Sequence, residues 1–230
     1  MNRAYRRKYW LFIAKHHLMF LPVFVLAPIF INTTQAYEGN NQKITCDALE
    51  EGAKGGNSYL ELSYGHCFVS GGGRPKNYKL AEYWYKKAIN DGEVSAKISL
   101  ASLYLFHLDD NKKKQLAVDL LREPIDKGYS KAMFVMGVAF HNGLGVDKDN
   151  SKALEYYKEA AEKWHKLGAA ACYLVSKDNL YHLERGKLTA DYCLKLLKRN
   201  LSMLKPESVD EFLNQATKEE FVQKYILNDK

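Results

Sequence analysis

Apolar side chains along this chain recur with a helical period, and the helical segments themselves recur about every 36 residues. Ala132, Met136, Ala139 and Phe140 repeat at three- and four-residue spacing, which predicts an amphipathic helix over about 129–141. Gly143-Leu144-Gly145-Val146 interrupts it, because two glycines so close together supply the backbone freedom of a tight reversal. Asp149, Asn150 and Ser151 then offer N-cap side chains. A second helix is expected from about 151 to 166, with Ala153, Tyr156, Tyr157, Ala160 and Ala161 on one face.

The same hairpin pattern recurs along the chain. Ala81, Ala117 and Ala153 stand 36 residues apart, and Ala190 follows with a one-residue slip. Trp84-Tyr85 maps onto Leu120-Leu121, Tyr156-Tyr157 and Cys193-Leu194. Gly65 maps onto Ala101 and Gly137, and Phe68 onto Tyr104 and Phe140. A period of this length marks a stacked helical array, in which one unit cannot bury its apolar face alone.

The unit around residue 137 resembles the Sel1-like repeat, a relative of the tetratricopeptide repeat. The resemblance is carried by Gly137, Phe140, Gly143, Gly145-Val146, Asp149, Lys152-Ala153, Tyr156-Tyr157 and Ala160-Ala161. An earlier unit keeps Gly65, Phe68, Gly71-Gly72-Gly73, Leu80-Ala81, Trp84-Tyr85, Ala88 and Gly92. The expected fold is therefore all-α, a right-handed α-solenoid of antiparallel helical hairpins. We divide it into an N-terminal segment with a half-repeat helix (37–56), repeat one (57–92), a degenerate repeat two (93–128), repeat three (129–166), a degenerate repeat four (167–204) and a C-terminal capping helix (205–230).

The degenerate units carry their own expectations. In repeat two, Asp109-Asp110-Asn111 replaces the loop glycines, and Pro124 should kink or end the second helix. Trp164-His165-Lys166-Leu167 is expected to lengthen the last helix of repeat three by a turn before Gly168. Near the end, Ser208-Val209-Asp210-Glu211 reads as a capping box. Phe212, Leu213, Ala216, Phe221, Val222 and Tyr225 then supply an apolar stripe for the capping helix.

Residues 1–36 read differently. Arg3, Arg6, Arg7, Lys8 and Lys15 precede a nearly wholly apolar run from Leu18 to Ile31, and Thr34-Gln35-Ala36 presents small residues before a cleavage point. This is the plan of a secretory signal peptide cleaved after Ala36. The alternative, an uncleaved anchor, has an apolar run shorter than the ~20 residues of a spanning helix. Removing those five basic residues takes the chain from +7 to about +2, so the basic balance reflects export and does not mark a nucleic-acid surface. The reading places the mature chain in the periplasm or outside the cell, with no membrane contact after cleavage.

Little in the sequence points to catalysis. His66, His107, His141, His165 and His182 are scattered, and none has metal-ligand spacing to a second His, Cys or carboxylate. The Gly71-Gly72-Gly73 loop joins two helices, whereas a phosphate cradle follows a strand. Ser202-Met203-Leu204-Lys205 fits the Ser-x-x-Lys pattern of serine β-lactamases, but no Lys-Thr-Gly accompanies it. Neither metal nor cofactor is implied.

What the resemblance implies is a binding surface. In tetratricopeptide-like hairpins the first helix lines the concave face, which by register assigns Tyr59, Leu62, His66, Ile98, Ser102, Phe134, Val138 and His141 to it. Leu62, Ile98 and Phe134 would form an apolar row for a peptide or partner helix. The same spacing also fits residues that pack against the neighbouring hairpin as core. The expected function is an exported scaffold or adaptor for another protein. The alternatives are a β-lactam-binding or weakly β-lactamase-like member of the family, and an inhibitor or immunity-type protein for an exported enzyme.

Four cysteines complete the picture. Facing residues of an antiparallel hairpin share a nearly constant index sum, and this pairs Cys46 with Cys67 around a turn near 57. Cys172 and Cys193 likewise face each other around a turn near 182. Disulfides suit an exported chain. The other reading is four buried free thiols.

Overall fold

The computed structural model describes residues 45–72, 74–178, 184–202, 209–218 and 224–226, all within the unit 44–230. The signal-peptide reading falls outside these residues. Ten helices cover most of the described chain, and no strand occurs among the described residues. They are α1 (Cys46–Lys54), α2 (Ser58–Ser70), α3 (Tyr78–Asn90), α4 (Val94–Phe106) and α5 (Asn111–Asp126). There follow α6 (Ser130–Asn142), α7 (Asn150–Glu162), α8 (Lys166–Asp178), α9 (Glu184–Ser202) and α10 (Val209–Ala216).

Successive helices pair as α2/α3, α4/α5, α6/α7 and α8/α9, each hairpin packing on the next, with α1 as a half-unit in front. Consecutive first helices also touch, α2 with α4, α4 with α6 and α6 with α8. A first helix is thus covered on several sides, which explains its composition. In α6 every residue from Ala132 to Ala139 is buried. The second helices bury one face only, as Ala153, Tyr157, Ala160 and Ala161 of α7 show.

The repeat register is fixed by side-chain fit. A Cβ placed on Gly65 would lie 2.6 Å from the Tyr85 ring, and one on Gly137 would lie 2.6 Å from the Tyr157 ring. Each glycine admits the tyrosine of its own hairpin. Repeat two makes the compensating exchange: Ala101 stands for the glycine and Leu121 for the tyrosine, both fully buried. A larger residue on one helix meets a smaller one on the other, so packing density is kept.

Helix ends follow the same register. The Asn57, Asn77, Asp110 and Asp149 side chains accept from backbone N–H groups of their following helices. The main-chain N–H of Asn77 bonds Phe68 O at 2.8 Å, and that of Asp149 bonds Phe140 O at 2.9 Å, closing equivalent loops in repeats one and three. In repeat two Asp110 caps α5 earlier, and that helix is 16 residues long against 13 for α3 and α7. The degenerate loop is absorbed as an extra helical turn.

Three expectations need correction. Pro124 does not end α5, which runs on to Asp126, in register with the ends of α3 and α7. Proline there gives up one N–H bond to the carbonyl four residues earlier, and only two helical residues follow it. Nor do Trp164–Leu167 lengthen α7. That helix stops at Glu162, Trp164 takes φ +68, and His165 Nδ1 accepts from Gly168 N–H at 2.9 Å to start α8. First helices consequently begin at Ser58, Val94, Ser130 and Lys166, 36 residues apart without a slip. Third, the terminal apolar stripe is not one helix. Phe212 and Leu213 of α10 pack with Leu196, Leu197 and Leu201, whereas Tyr225 lies against Phe106. Ser208, Phe221 and Val222 fall outside the described residues.

Cys46 and Cys67 join α1 to α2 with Cα atoms 5.9 Å apart, and Cys172 and Cys193 join α8 to α9 at 5.6 Å. Both local pairs are at disulfide distance, within the geometry a bridge requires.

Candidate functional site on the first-helix face

The residues assigned by register to the binding face separate into two groups. Leu62, Ile98 and Phe134 are 6%, 2% and 5% exposed, and Val138 and His141 are buried as well. The expected apolar row is core. Its cover is visible at Phe134, whose ring centroid lies 4.8 Å from His165 and 5.9 Å from Tyr157. Helical spacing identifies a side turned toward the next hairpin, and contact between first helices closes that side off. Tyr59 is exposed and stands apart, while His66 and Ser102 do reach a surface concavity.

That concavity has a volume of about 150 Å³ and lies where α2, α4 and α6 meet. His66, Ser99, Ser102, His107 and Lys131 give it polar walls, and Val69, Tyr85 and Leu103 give it an apolar floor. His66 Nε2 and Ser99 Oγ are 2.9 Å apart. The His66 ring also meets the Tyr85 ring edge-on at 5.4 Å. Ser102 Oγ donates to Ile98 O one turn earlier at 2.8 Å.

Among the residues that line the pocket, Lys131 carries the positive charge. Dense packing around the His66 imidazole lowers its pKa to about 4, with the Lys131 charge adding to the effect, although the residue keeps a solvent-exposed edge at the pocket mouth. His165 is lowered to about 4 by burial and then by the same Lys131. His107 is lowered by burial, then by Lys76 and Lys224. Near neutral pH the rings of His66 and His165 are uncharged, and Lys131 supplies the positive charge.

A second structural element borders this pocket. Lys224, Tyr225 and Ile226 return to the ends of α4 and α6. Asn142 Nδ2 donates to Tyr225 O at 2.8 Å, and Tyr225 Oη donates to Phe106 O at 3.2 Å. The Phe106 and Tyr225 rings pack at 4.9 Å. Phe106 and Asn142 are one turn beyond Ser102 and Val138 and are equivalent in the repeat. Extending the register by a turn would have reached them, but nothing local marked Tyr225 as their partner.

A larger concavity of about 390 Å³ lies elsewhere, between α5, α6 and α7, floored by Met136, Phe140 and Tyr156 and edged by Arg122 and Asp126. Among the described residues no three His, Cys, Asp or Glu side chains gather to hold a metal ion. Lys205 of the Ser-x-x-Lys tetrapeptide falls outside the described residues. No described helix is long and apolar enough to cross a membrane.

Comparison with known proteins agrees with this architecture. The family model of the Sel1 repeat matches residues 58–93 and 130–163, the two hairpins α2/α3 and α6/α7. An uncharacterized protein of Neisseria meningitidis serogroup B is 30% identical over 106 residues, 44% of this chain and 21% of that protein. This chain therefore spans only about a fifth of that relative. The crystal structure of a Sel1 repeat protein from Oxalobacter formigenes superposes with a TM-score of 0.57 at 22% identity, covering 66% of this chain and 61% of the other, a likeness of fold. A protective antigen of uropathogenic Escherichia coli gives 0.49 at 22% identity, over 79% and 41% of the two chains. The hairpin register, the glycine–tyrosine fit and the family match agree on one point: hairpins α2/α3 and α6/α7 are Sel1 repeats, at residues 58–93 and 130–163.

Proposed function

We propose that the protein is an exported scaffold that holds a segment of another protein on its first-helix face, at the pocket between α2, α4 and α6. The observation that carries this reading is the pocket's make-up. Lys131, Ser99, Ser102 and His107 surround a small apolar floor on a rigid, buried framework, the combination of a few placed polar groups and an apolar surface that suits recognition. Sel1 repeats are an interaction fold. Catalysis has less support, because His66 is held neutral beside a serine hydroxyl without a carboxylate in hydrogen-bond contact. Export is supported by the two cysteine pairs and by the arrangement of residues 1–36.

The test is a photo-crosslinking side chain at His107, on the pocket rim, with Lys86 on the second helix α3 as control. Adducts in the organism of origin should form from position 107 and not from 86, and should weaken when Lys131→Glu reverses the pocket charge. Equal adducts from both positions would reject the site. Fractionation tests export: a full-length product in the cytoplasm, with four free thiols, would reject that part.

A further inference from the structure

We infer that the ends of α4 and α6 form a recognition cradle for a short helical turn carrying a tyrosine followed by an aliphatic residue, and that the chain's own Lys224-Tyr225-Ile226 occupies it as an intramolecular competitor. This deepens the proposed function and rests on it for the choice of face. The contacts are those by which a helical array reads a peptide. The Asn142 amide is oriented by Val138 O at 2.9 Å and donates its other bond to a main-chain carbonyl of the tail, which any sequence offers. Selectivity comes from the side chains: the Tyr225 ring packs on Phe106 while its hydroxyl donates to the Phe106 carbonyl, and Ile226 is 4% exposed within the main core.

Tyr225 spans two repeat-equivalent positions, Phe106 and Asn142. The equivalent position in repeat one is Ser70, whose hydroxyl is turned back onto His66 O at 3.0 Å. Only repeats two and three therefore pair a ring with an amide for this purpose among the first three. The tail contacts residues more than 80 positions away, so it is docked on a finished surface and is not part of any hairpin. It also lies close to the pocket described above, since Tyr225 packs on Phe106, the residue next to the pocket's His107. A partner segment that runs from that pocket over the ends of α4 and α6 meets residues 224–226, and one of the two must yield.

The probe is a labelled synthetic peptide with the sequence of residues 221–230, titrated by fluorescence anisotropy. Full-length protein with Tyr225→Ala and Ile226→Ala should bind it at least tenfold more tightly than wild type, and adding Asn142→Ala should return the affinity to the wild-type level. Equal binding to both, or to neither, would overturn the cradle. Should the double variant fail to fold, wild type alone decides: excess peptide should remove the hydrogen-exchange protection of residues 224–226, and unchanged protection overturns the proposal. A wild-type dimer that Tyr225→Ala breaks would overturn the intramolecular assignment. Because the peptide assay needs no natural partner, failed crosslinking at His107 with intact peptide binding would reject the proposed function and leave the cradle standing.

Discussion

Glu61 of α2 and Lys87 of α3 form an ion pair inside the first hairpin, and 36 residues on the same two positions hold Lys97 and Glu123 with their charges exchanged. One geometry accepts either polarity. In repeat three the positions carry Met133 and Glu159, so the cross-helix charge pair is not obligatory to the hairpin.

The two pairs should differ in worth. Glu61 is completely buried, whereas the Glu123 side chain is 44% exposed and can be rehydrated. Lys87→Ala should therefore lower the melting temperature clearly more than Lys97→Ala, because it strands a buried carboxylate. The exchanged pair Glu61→Lys with Lys87→Glu should recover most of that loss. A Lys87→Ala variant as stable as Lys97→Ala would show that the buried pair is solvated in solution.

The glycine–tyrosine fit makes a second prediction. Gly137→Ala alone should destabilise by about 1–3 kcal/mol through overpacking against Tyr157, despite alanine's better helix propensity. Combined with Tyr157→Leu, which reproduces Ala101 and Leu121, the same change should become nearly neutral. Urea denaturation of the double-mutant cycle should thus give a coupling of about 1 kcal/mol or more. Additive effects would mean that the two residues do not share the space.

Trp164 marks a third. Gly56, Gly92 and Gly128 lie 36 residues apart at positive φ, and the next position in that series is Trp164, also left-handed at φ +68. A side chain there costs about 1–2 kcal/mol. The ring is 49% exposed and carries the Arg199 guanidinium over its face at 4.2 Å. Trp164→Gly should consequently be more stable than Trp164→Ala by about 1 kcal/mol, the reverse of the order inside a helix. Thermal melts of the two variants decide it.

Acid should loosen the inner face before it reaches the carboxylates. His66 and His165 are both lowered from 6.5 to about 4, by burial first and by Lys131 of α6 second. Between those values the unfolded chain binds more protons than the folded one, so stability is full above about pH 6.5 and is lost as the pH falls toward 4. Denaturant midpoints should fall from pH 7 to pH 5, and less so in a His66→Gln, His165→Gln double variant. The lowered carboxyls of Glu82 and Glu123, at about 2, act in the same direction at lower pH.

Reduction should be felt at both ends of the array. Each pair closes a segment with a sequence separation of 21, for which chain entropy gives roughly 3 kcal/mol. Cys46→Ser with Cys67→Ser should release α1 first, seen as lost amide protection over residues 46–54. Protection unchanged by the substitution would show that α1 is held by packing alone.

Much of this architecture is legible in the chain itself. The 36-residue period, the helix–loop–helix pattern around Gly143 and the local cysteine pairs are all near-neighbour properties. They follow from which residues share a helix face and which helices are joined by a short loop. The tertiary structure decided what local pattern does not encode. Leu62, Ile98 and Phe134 had the spacing of a face, yet whether a face is exposed depends on how closely the next hairpin approaches, and here it covers them. Trp164 masked the continuing register because a tryptophan at a glycine position reads as helix until the backbone is seen to turn left-handed. Tyr225 belonged by pattern to a terminal helix. Its place against Phe106 and Asn142 is set by a surface that exists only once repeats two and three have folded together.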